Sequence, residues 1–184
     1  MMTTTAVLLA LAVSGHSIPH STNDGAWKDT NGKPAPNTEF RKSVKGFGGW
    51  LLVTPDQDWE EKWNTPSVVT PRFNEADTVK MGGRIFVLIF FANPALGPDG
   101  TATVLCDLEV ERPNKTYSVQ QKDVDCYKGP LSGPAQSVYL SFPVIGFVGE
   151  AGDPPGRWIV RVTLKDKHRG VEVPLRTHFV LKDG

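Results

Sequence analysis

The residues of this chain that could do chemistry are four histidines, two cysteines and several neighbouring carboxylates. None of the histidines has zinc-type spacing to a cysteine or a carboxylate; they are His16, His20, His168 and His178. Glycosidase chemistry needs two carboxyls across a cleft, one with a raised pKa. Asp56 and Asp58 are instead neighbours in a stretch expected to be exposed. We predict no catalytic residue, metal or cofactor, and carboxylates remote in sequence that meet in the fold remain the alternative.

Motifs for nucleophilic or phosphate chemistry are also incomplete. Ser132 lies in "GPLSGP", which is not the G-x-S-x-G turn that exposes a hydrolase serine. The "FGG" and "MGG" stretches lack the lysine and the helix start of a phosphate-binding loop. Twenty basic residues balance twenty acidic ones, whereas nucleic-acid binders usually carry a basic excess. These observations argue against hydrolase, nucleotide-binding and nucleic-acid-binding functions.

Cys106 and Cys126 are the only cysteines in the 184 residues. Cys106 shares one face of the predicted strand "TVLCDLEV" with Val104, Leu108 and Val110, so its sulfur points towards the core. Cys126 follows the turn signal "RPNK" and a returning strand. We predict a disulfide between them, as expected in an oxidising compartment; two buried free thiols are the alternative.

The first fifteen residues, 1–15, have the pattern of a secretory signal peptide. An apolar run over 6–13 is followed by small residues, although the start "MMTTT" lacks the usual lysine or arginine. The run is too short to span a bilayer as a helix. We predict a periplasmic or secreted protein whose mature chain does not insert into the membrane. The alternative is an apolar tail on a cytosolic protein.

Turn signals and alternating apolar residues organise the rest of the chain. Residues 16–46 are polar and lack periodicity, which predicts a flexible arm with Trp27 and Phe40 as its only large anchors. Residues 47–184 are predicted to form one β-sandwich domain with a short helix near 55–64, starting with Thr54 as N-cap. Further strands are predicted near 84–92, 101–111, 116–124, 137–148, 157–166 and 171–182. Pro143 and Pro174 inside these patterns predict edge or bulged strands.

The stretch "PPGRWIVRVTLKDKHRGVEVPLRTHFVL" resembles the closing hairpin of exported bacterial immunoglobulin-like or fibronectin-like domains. Apolar residues alternate along both strands of the hairpin: Trp158, Val160, Val162 and Leu164, then Val171, Val173, Leu175, Phe179 and Leu181. The resemblance covers about 28 residues. It implies a mostly β, immunoglobulin-like antiparallel sandwich without an assigned activity, since a fold does not fix a function. The cysteines depart from the antibody pattern because they lie too close in sequence.

One predicted strand, "RIFVLIFFANP", is apolar on both faces. A sandwich strand normally buries one face only, so something must cover the second. The candidates are a helix bearing Trp59 and Trp63, the arm through Trp27 and Phe40, a partner chain, or the interior of a closed barrel. We assign the surplus face to Ile85, Val87, Ile89 and Phe91, and predict that these four residues with Trp59 and Trp63 form the candidate interaction surface.

Taken together, the sequence predicts a non-catalytic exported domain that binds another protein, or itself, in the cell envelope. One alternative is an inhibitor or immunity-type protein directed against a secreted toxin. Another is a small β-sandwich hydrolase or a carbohydrate-binding module. A sugar binder would present coplanar exposed aromatic rings, and Trp50, Trp59 and Trp63 are the candidates for such a platform.

Overall fold

The computed structural model describes residues 25–29, 31–66 and 70–183, in which two five-stranded β-sheets pack face to face. The predicted mostly β sandwich is confirmed. The elements are β1 (Arg41–Val44), β2 (Phe47–Thr54), α1 (Trp59–Trp63), β3 (Thr78–Lys80), β4 (Arg84–Ala92), β5 (Thr101–Glu111), β6 (Tyr117–Pro130), β7 (Val138–Leu140), β8 (Ile145–Val148), β9 (Gly156–Asp166) and β10 (Val171–Lys182).

The first sheet has the order β1-β2-β4-β7, and β8 also pairs with β4. β7 pairs with Phe90–Ala92 and β8 with Arg84–Val87, so the two short strands share one edge of β4. The second sheet has the order β3-β10-β9-β5-β6. Its strands are antiparallel except for β3, which runs parallel to β10.

The core lies between the two sheets, and the alternation predicted for the closing hairpin supplies much of it. Inward side chains of β5, β9 and β10 are almost completely buried, including Val104, Leu108, Val160, Leu164, Val173 and Phe179. Many outward residues of the same strands are charged, including Asp107, Glu109, Arg161 and Lys165. The second sheet is therefore amphipathic, with an apolar inner face and a polar outer face.

The predicted disulfide between Cys106 and Cys126 is present, with a Cα–Cα distance of 5.7 Å. Both cysteines are buried in the core between the sheets. β6 continues to Pro130, beyond the predicted end at 124, and this extension carries Cys126 alongside β5.

The two-faced strand is β4, and the structure corrects the predicted orientation of its faces. Ile85, Val87, Ile89 and Phe91 point between the sheets and are at most 1% exposed, so they cannot form an interaction surface. The surplus face consists of Phe86, Leu88 and Phe90. Trp59, Trp63 and Phe73 pack on this outer face, with Trp63 and Phe90 ring centroids 5.4 Å apart. The α1 helix and the segment after it thus supply the cover that the sequence required.

The helix is shorter than predicted and begins four residues later. Thr54 is the last residue of β2, where its hydroxyl accepts a hydrogen bond from the Asp56 N–H at 3.1 Å, so it is not the N-cap. The N-cap is Asp58, which makes no side-chain capping bond. Pro55 and Asp56 form the turn that carries the chain from β2 to the outer face of the first sheet.

The prediction of a flexible arm over 16–46 is wrong for its last part, residues 41–44. Residues 41–44 form β1 and pair with β2, so the sandwich begins before residue 47. Trp27 is 7% exposed and donates a hydrogen bond from Nε1 to the Lys42 carbonyl at 2.9 Å. A Cβ on Gly48 would lie 2.9 Å from that indole nitrogen, so glycine lets Trp27 lie on the strand. The next residue, Gly49, allows the second sheet to approach the inner face in the same way.

The single strand predicted over 137–148 is divided into β7 and β8, with Pro143 in the break. Pro174 lies inside β10, in a stretch where β9 is its only strand partner, as predicted for a proline that cannot donate to a second strand. Among the described residues, no helix is long and apolar enough to cross a membrane. The predicted signal peptide 1–15, together with His16 and His20, lies outside the residues that the structure describes.

The corrected orientation of β4 predicts different outcomes for two matched substitutions. Ile89→Asp places a carboxylate in the core at a position that is 0% exposed, which costs several kcal/mol and a large part of a typical domain's stability. Val148→Asp, at a position 38% exposed, should change stability by less than about 1 kcal/mol. Urea unfolding followed by tryptophan fluorescence measures both. A cooperative transition in Ile89→Asp close to that of the unmodified protein would contradict this orientation.

Candidate binding cleft at the side of the sandwich

On one side of the sandwich, a strand of each sheet lacks a neighbour over part of its length. β1 pairs with Phe47–Trp50 only, so Leu51–Thr54 have β4 as their only strand partner. β3 pairs with Val180–Lys182 only, so the earlier part of β10 has β9 alone. Two open strand edges therefore face the same side of the molecule. Open edges expose N–H and C=O groups that can pair with another chain.

Residues Glu39–Phe40, termed the first crossing segment, connect these two edges. The Glu39 carbonyl accepts a hydrogen bond from the Arg176 N–H of the second sheet at 2.7 Å. The Phe40 carbonyl accepts one from the Leu51 N–H of the first sheet at 2.8 Å. Both bonds use the main chain of the crossing segment, so two consecutive carbonyls hold the two sheets together at this point.

A second crossing segment, Ala76–Asp77, connects the same edges further along. The Ala76 N–H donates to the Val53 carbonyl at 3.1 Å, and the Asp77 carbonyl accepts from the Val180 N–H at 2.7 Å. Each crossing segment thus contacts one strand of each sheet. The edge of β2 between Leu51 and Val53, and the edge of β10 between its bonded ends, lie between the two segments.

A cavity of about 500 Å³ occupies the space between the crossing segments and is termed the side cleft. Its volume is within the range of ligand-binding pockets, roughly 300–1,000 Å³. Residues from both sheets and both crossing segments line it: Glu39, Phe40, Trp50, Leu51, Leu52, Val53, Glu75, Ala76, Asp77, Arg157, Arg176, Thr177 and His178. Leu51 and Val53 belong to the core between the sheets. Thr177 lies in the inward series of β10, so these three residues form the inner wall.

The main chain offers hydrogen-bonding groups to the side cleft. Because N–H and C=O groups of alternate residues point to the same edge of a strand, Val53 points the same way as Leu51. His178 likewise points the same way as Arg176. Among the residues that the structure describes, none accepts a hydrogen bond from the N–H of Val53 or His178 at these edges. The cleft therefore presents one free donor from each sheet.

Charged side chains of both signs surround the mouth of the side cleft. Glu39 lies 3.4 Å from Arg176 in an exposed ion pair, which contributes little to stability. Glu75 and Asp77 have no cation within 4.0 Å among the described residues, and neither Arg157 nor His178 has an anion. The acidic side of the mouth belongs to the second crossing segment and the residue before it.

A second cavity, of about 410 Å³, lies over the charged outer face of the second sheet. Glu39 and Arg176 line both cavities, so their ion pair stands between them. Several carboxyls on this face form ion pairs with cations. Lys165 lies 2.7 Å from Asp107 and 2.8 Å from Asp123, and Arg161 lies 2.7 Å from Glu111.

These ion pairs shift the pKa values of the charged side chains on the outer face. Burial would raise the pKa of Asp107, but the bond from Lys165 outweighs it and the pKa is lowered. Bonds from Lys115 and Arg161 lower the pKa of Glu111. The same contacts with Asp107 and Asp123 raise the pKa of Lys165. A general acid needs the opposite shift of a carboxyl, so this face is suited to stabilising the sheet and to presenting fixed charges.

The tryptophans predicted as a binding platform fill the outer layer of the first sheet. Trp59 packs on Phe86 with centroids 6.1 Å apart, and Trp50 packs on Phe90 at 5.2 Å and 34°. Trp27 meets Trp50 edge-on at 72°. The rings of Trp50, Trp59 and Trp63 are half-buried and tilted with respect to the side chains beneath them, unlike the coplanar exposed platform that sugar binding requires. Trp50 alone also reaches the side cleft.

The sequence analysis did not identify the side cleft, although one signal for it is present. The apolar series of the last strand includes Val173, Leu175, Phe179 and Leu181, and Thr177 interrupts it. A threonine on the inner face indicates a place where the core is not closed. The first crossing segment lies in the polar stretch 16–46, whose composition predicts a flexible arm, so the sequence did not indicate its contacts.

No metal site is found in the part of the chain covered by the structure: no group of three His, Cys, Asp or Glu residues there could hold an ion. His168 lies in the turn between β9 and β10. Asp166, which is 1% exposed, organises that turn by accepting bonds from the N–H groups of Ala95, His168 and Arg169. His178 lines the side cleft.

Asp56 fixes the second crossing segment in place. Its carboxylate accepts bonds from the Asn74 N–H at 2.9 Å and from Nδ2 at 2.8 Å, and it lies 2.8 Å from the Lys62 ammonium. One buried side chain thus connects the turn after β2, the α1 helix and the stretch leading to Ala76. Burial would raise the pKa of Asp56, but the bonds from Lys62 and Asn74 lower it to about 2.

Comparisons with known proteins identify no family for this chain. No protein-family model and no curated protein matches it. The solved structures that are similar to this chain include two that match over part of their own length. A family 123 glycoside hydrolase from Clostridium perfringens has a TM-score of 0.41 and 7% identity, covering 74% of this chain and 28% of the hydrolase.

The second is the alkylpurine DNA glycosylase AlkC from Pseudomonas fluorescens, with a TM-score of 0.38 and 14% identity. The match covers 72% of this chain and 29% of the glycosylase. The chain therefore spans less than a third of either protein. At these scores the likeness carries no argument about activity.

The ionisation of Asp56 predicts a specific pH dependence of stability. Its pKa is about 2 in the folded chain, against 3.8 for an unperturbed aspartate, so its contribution is complete above about pH 4 and is lost as the pH falls towards 2. Between these values, the free energy of unfolding should fall by about 1–2 kcal/mol more in the unmodified protein than in Asp56→Asn. Urea unfolding from pH 2 to 7 measures the difference. Glu60→Gln, at an exposed position outside the contact between Asp56 and Lys62, is the control and should keep the full dependence; equal slopes in all three proteins would refute the assignment.

Proposed function

We propose that this protein is a non-catalytic binding domain that works outside the cytoplasm and recognises another polypeptide in its side cleft. The polypeptide belongs to a different protein or to a second copy of this chain. The observation that carries the proposal is the pair of open strand edges facing one cavity. Main-chain groups at such edges recognise polypeptides, because another chain can supply the complementary carbonyls and N–H groups.

Two further observations support the export and the absence of catalysis. A disulfide buried in the core is typical of proteins that fold in an oxidising compartment. The carboxyls with lowered pKa values are engaged in ion pairs and hydrogen bonds, which suits structural anions better than general acids. The resemblance of the closing hairpin to exported immunoglobulin-like domains agrees with a binding role.

Site-specific photocrosslinking tests the proposal. A benzophenone amino acid at position 77, on the rim of the side cleft, is compared with the same amino acid at position 128, an exposed site on β6. After irradiation of the tagged protein in its native cell envelope, we expect a discrete adduct from position 77 that is not formed from position 128. Mixing two differently tagged copies shows whether the captured chain is a second copy.

The captured protein, once purified, should bind the unmodified domain in solution. Adducts of equal pattern and yield from both positions, or none from position 77, would contradict recognition through the side cleft.

A further inference from the structure

The structure points to how the side cleft would be filled, an inference that rests on the proposed function. We propose that the cleft binds an extended segment of a partner polypeptide as a third crossing segment. Two consecutive main-chain carbonyls of this segment accept hydrogen bonds from the N–H groups of Val53 and His178. An apolar side chain of the segment points inward, and a basic side chain next to it lies at the mouth.

The first crossing segment provides the pattern for this arrangement. Its carbonyls accept from the N–H of Arg176 on the second sheet and from the N–H of Leu51 on the first. Moving two residues along both strands leads from Arg176 to His178 and from Leu51 to Val53. The same pair of donors, one from each sheet, is repeated there with the same orientation, but the protein's own chain supplies no second pair of carbonyls among the described residues.

The spacing of the donors leaves room for a separate chain. On the second sheet, the amides bonded by the two crossing segments are those of Arg176 and Val180, which are four residues or about 13 Å of extended strand apart. On the first sheet, the crossing segments bond the Leu51 N–H and the Val53 carbonyl, and that carbonyl belongs to the same residue as the Val53 N–H. The cleft of about 500 Å³ lies between these occupied positions. This volume has room for a short extended segment, whose carbonyl at the Val53 N–H would lie directly beside the bond from the Ala76 N–H to the Val53 carbonyl.

The inner wall selects the side chain that points inward. Leu51 and Val53 present apolar surface, and Thr177 is the one polar residue in the inward series of β10. An aliphatic side chain of the partner would continue the core at this point and bury apolar area, at about 25 cal/mol per Å². In strand addition of this kind, main-chain bonds provide affinity and such a pocket provides specificity.

The charges at the mouth select the neighbouring side chain. Among the cleft's charged side chains that form no ion pair with a described residue, Glu75 and Asp77 are acidic and Arg157 is basic, whereas Glu39 is already matched by Arg176. A lysine or arginine of the partner next to the inward residue would meet the two unpaired carboxylates. Electrostatic complementarity of this type mainly sets specificity and association rate. The preferred ligand is thus an extended segment with adjacent aliphatic and basic residues.

Selection of a phage-displayed library of random dodecapeptides on the immobilised protein tests this inference. We expect enriched peptides in which an aliphatic residue adjoins a lysine or arginine, and whose binding shifts the amide resonances of Val53 and His178. Thr177→Leu fills the inner wall and extends the apolar series, so the variant should fold and its dissociation constants should rise at least about tenfold. Thr177→Val, which keeps the shape of threonine, is the matched control and should bind as the unmodified protein does.

A second pair of variants tests the charge requirement. Glu75→Gln combined with Asp77→Asn should weaken binding of the enriched peptides, and the loss should shrink as the salt concentration is raised. Asp125→Asn removes an exposed carboxylate on β6 and should have no effect. Failure to enrich any peptide, binding that Thr177→Leu leaves unchanged, or resonance shifts confined to residues outside the cleft would each overturn the inference.

The result is separable from that of the crosslinking experiment. A specific adduct from position 77 together with no peptide binding would retain recognition through the side cleft and reject the third crossing segment, because the partner would then contact the cleft as a folded surface. Loss of both results would reject both proposals.

Discussion

Burial of both faces of β4 is the constraint on which the rest of this structure depends. Its inward residues fill the core between the sheets, and its outward residues Phe86, Leu88 and Phe90 would otherwise lie in water. Burying each large apolar side chain is worth about 1.5–3 kcal/mol. The chain meets this demand by passing from β2 across the outer face, where α1 and Phe73 cover the surplus side chains. The second sheet needs no such cover because its outer face is charged.

The side cleft follows from this cover. The segment that crosses the outer face must return to the side of the sandwich to enter β3, and it arrives as Ala76–Asp77 after Asp56 has fixed Asn74. The stretch before β1 arrives from the other end, held by Trp27 over Gly48, and it crosses as Glu39–Phe40. Neither segment covers the whole edge. The main-chain groups between the two crossing segments therefore stay open at this side of the sandwich.

The sequence predicted which faces of the amphipathic strands point inward, but not which face of the two-faced strand does, for a physical reason. Alternation along β9 and β10 assigns their faces because only one side is apolar, and the disulfide followed from the face that Cys106 occupies. In β4 both sides are apolar, so the alternation pattern does not show which set of side chains points inward. That choice depends on contacts with residues distant in sequence. The packing of Trp27 depends on contact with a strand about twenty residues away, so composition alone suggested an arm. The sequence shows that Thr177 interrupts the apolar series of the last strand. That this interruption lines a cleft follows only from the positions of the two crossing segments.

Hydrogen exchange of individual backbone amides in the free protein tests the central claim, that both strand edges are open at the side cleft, most directly. The amides of Leu51, Arg176 and Val180 donate to crossing-segment or neighbouring carbonyls, so the account predicts slow exchange there. The amides of Val53 and His178 face the cleft and should exchange at least about a hundredfold faster, a difference of about 2.7 kcal/mol in protection. Protection of Val53 and His178 equal to that of their bonded neighbours would show that these edges are already paired, and would contradict the account.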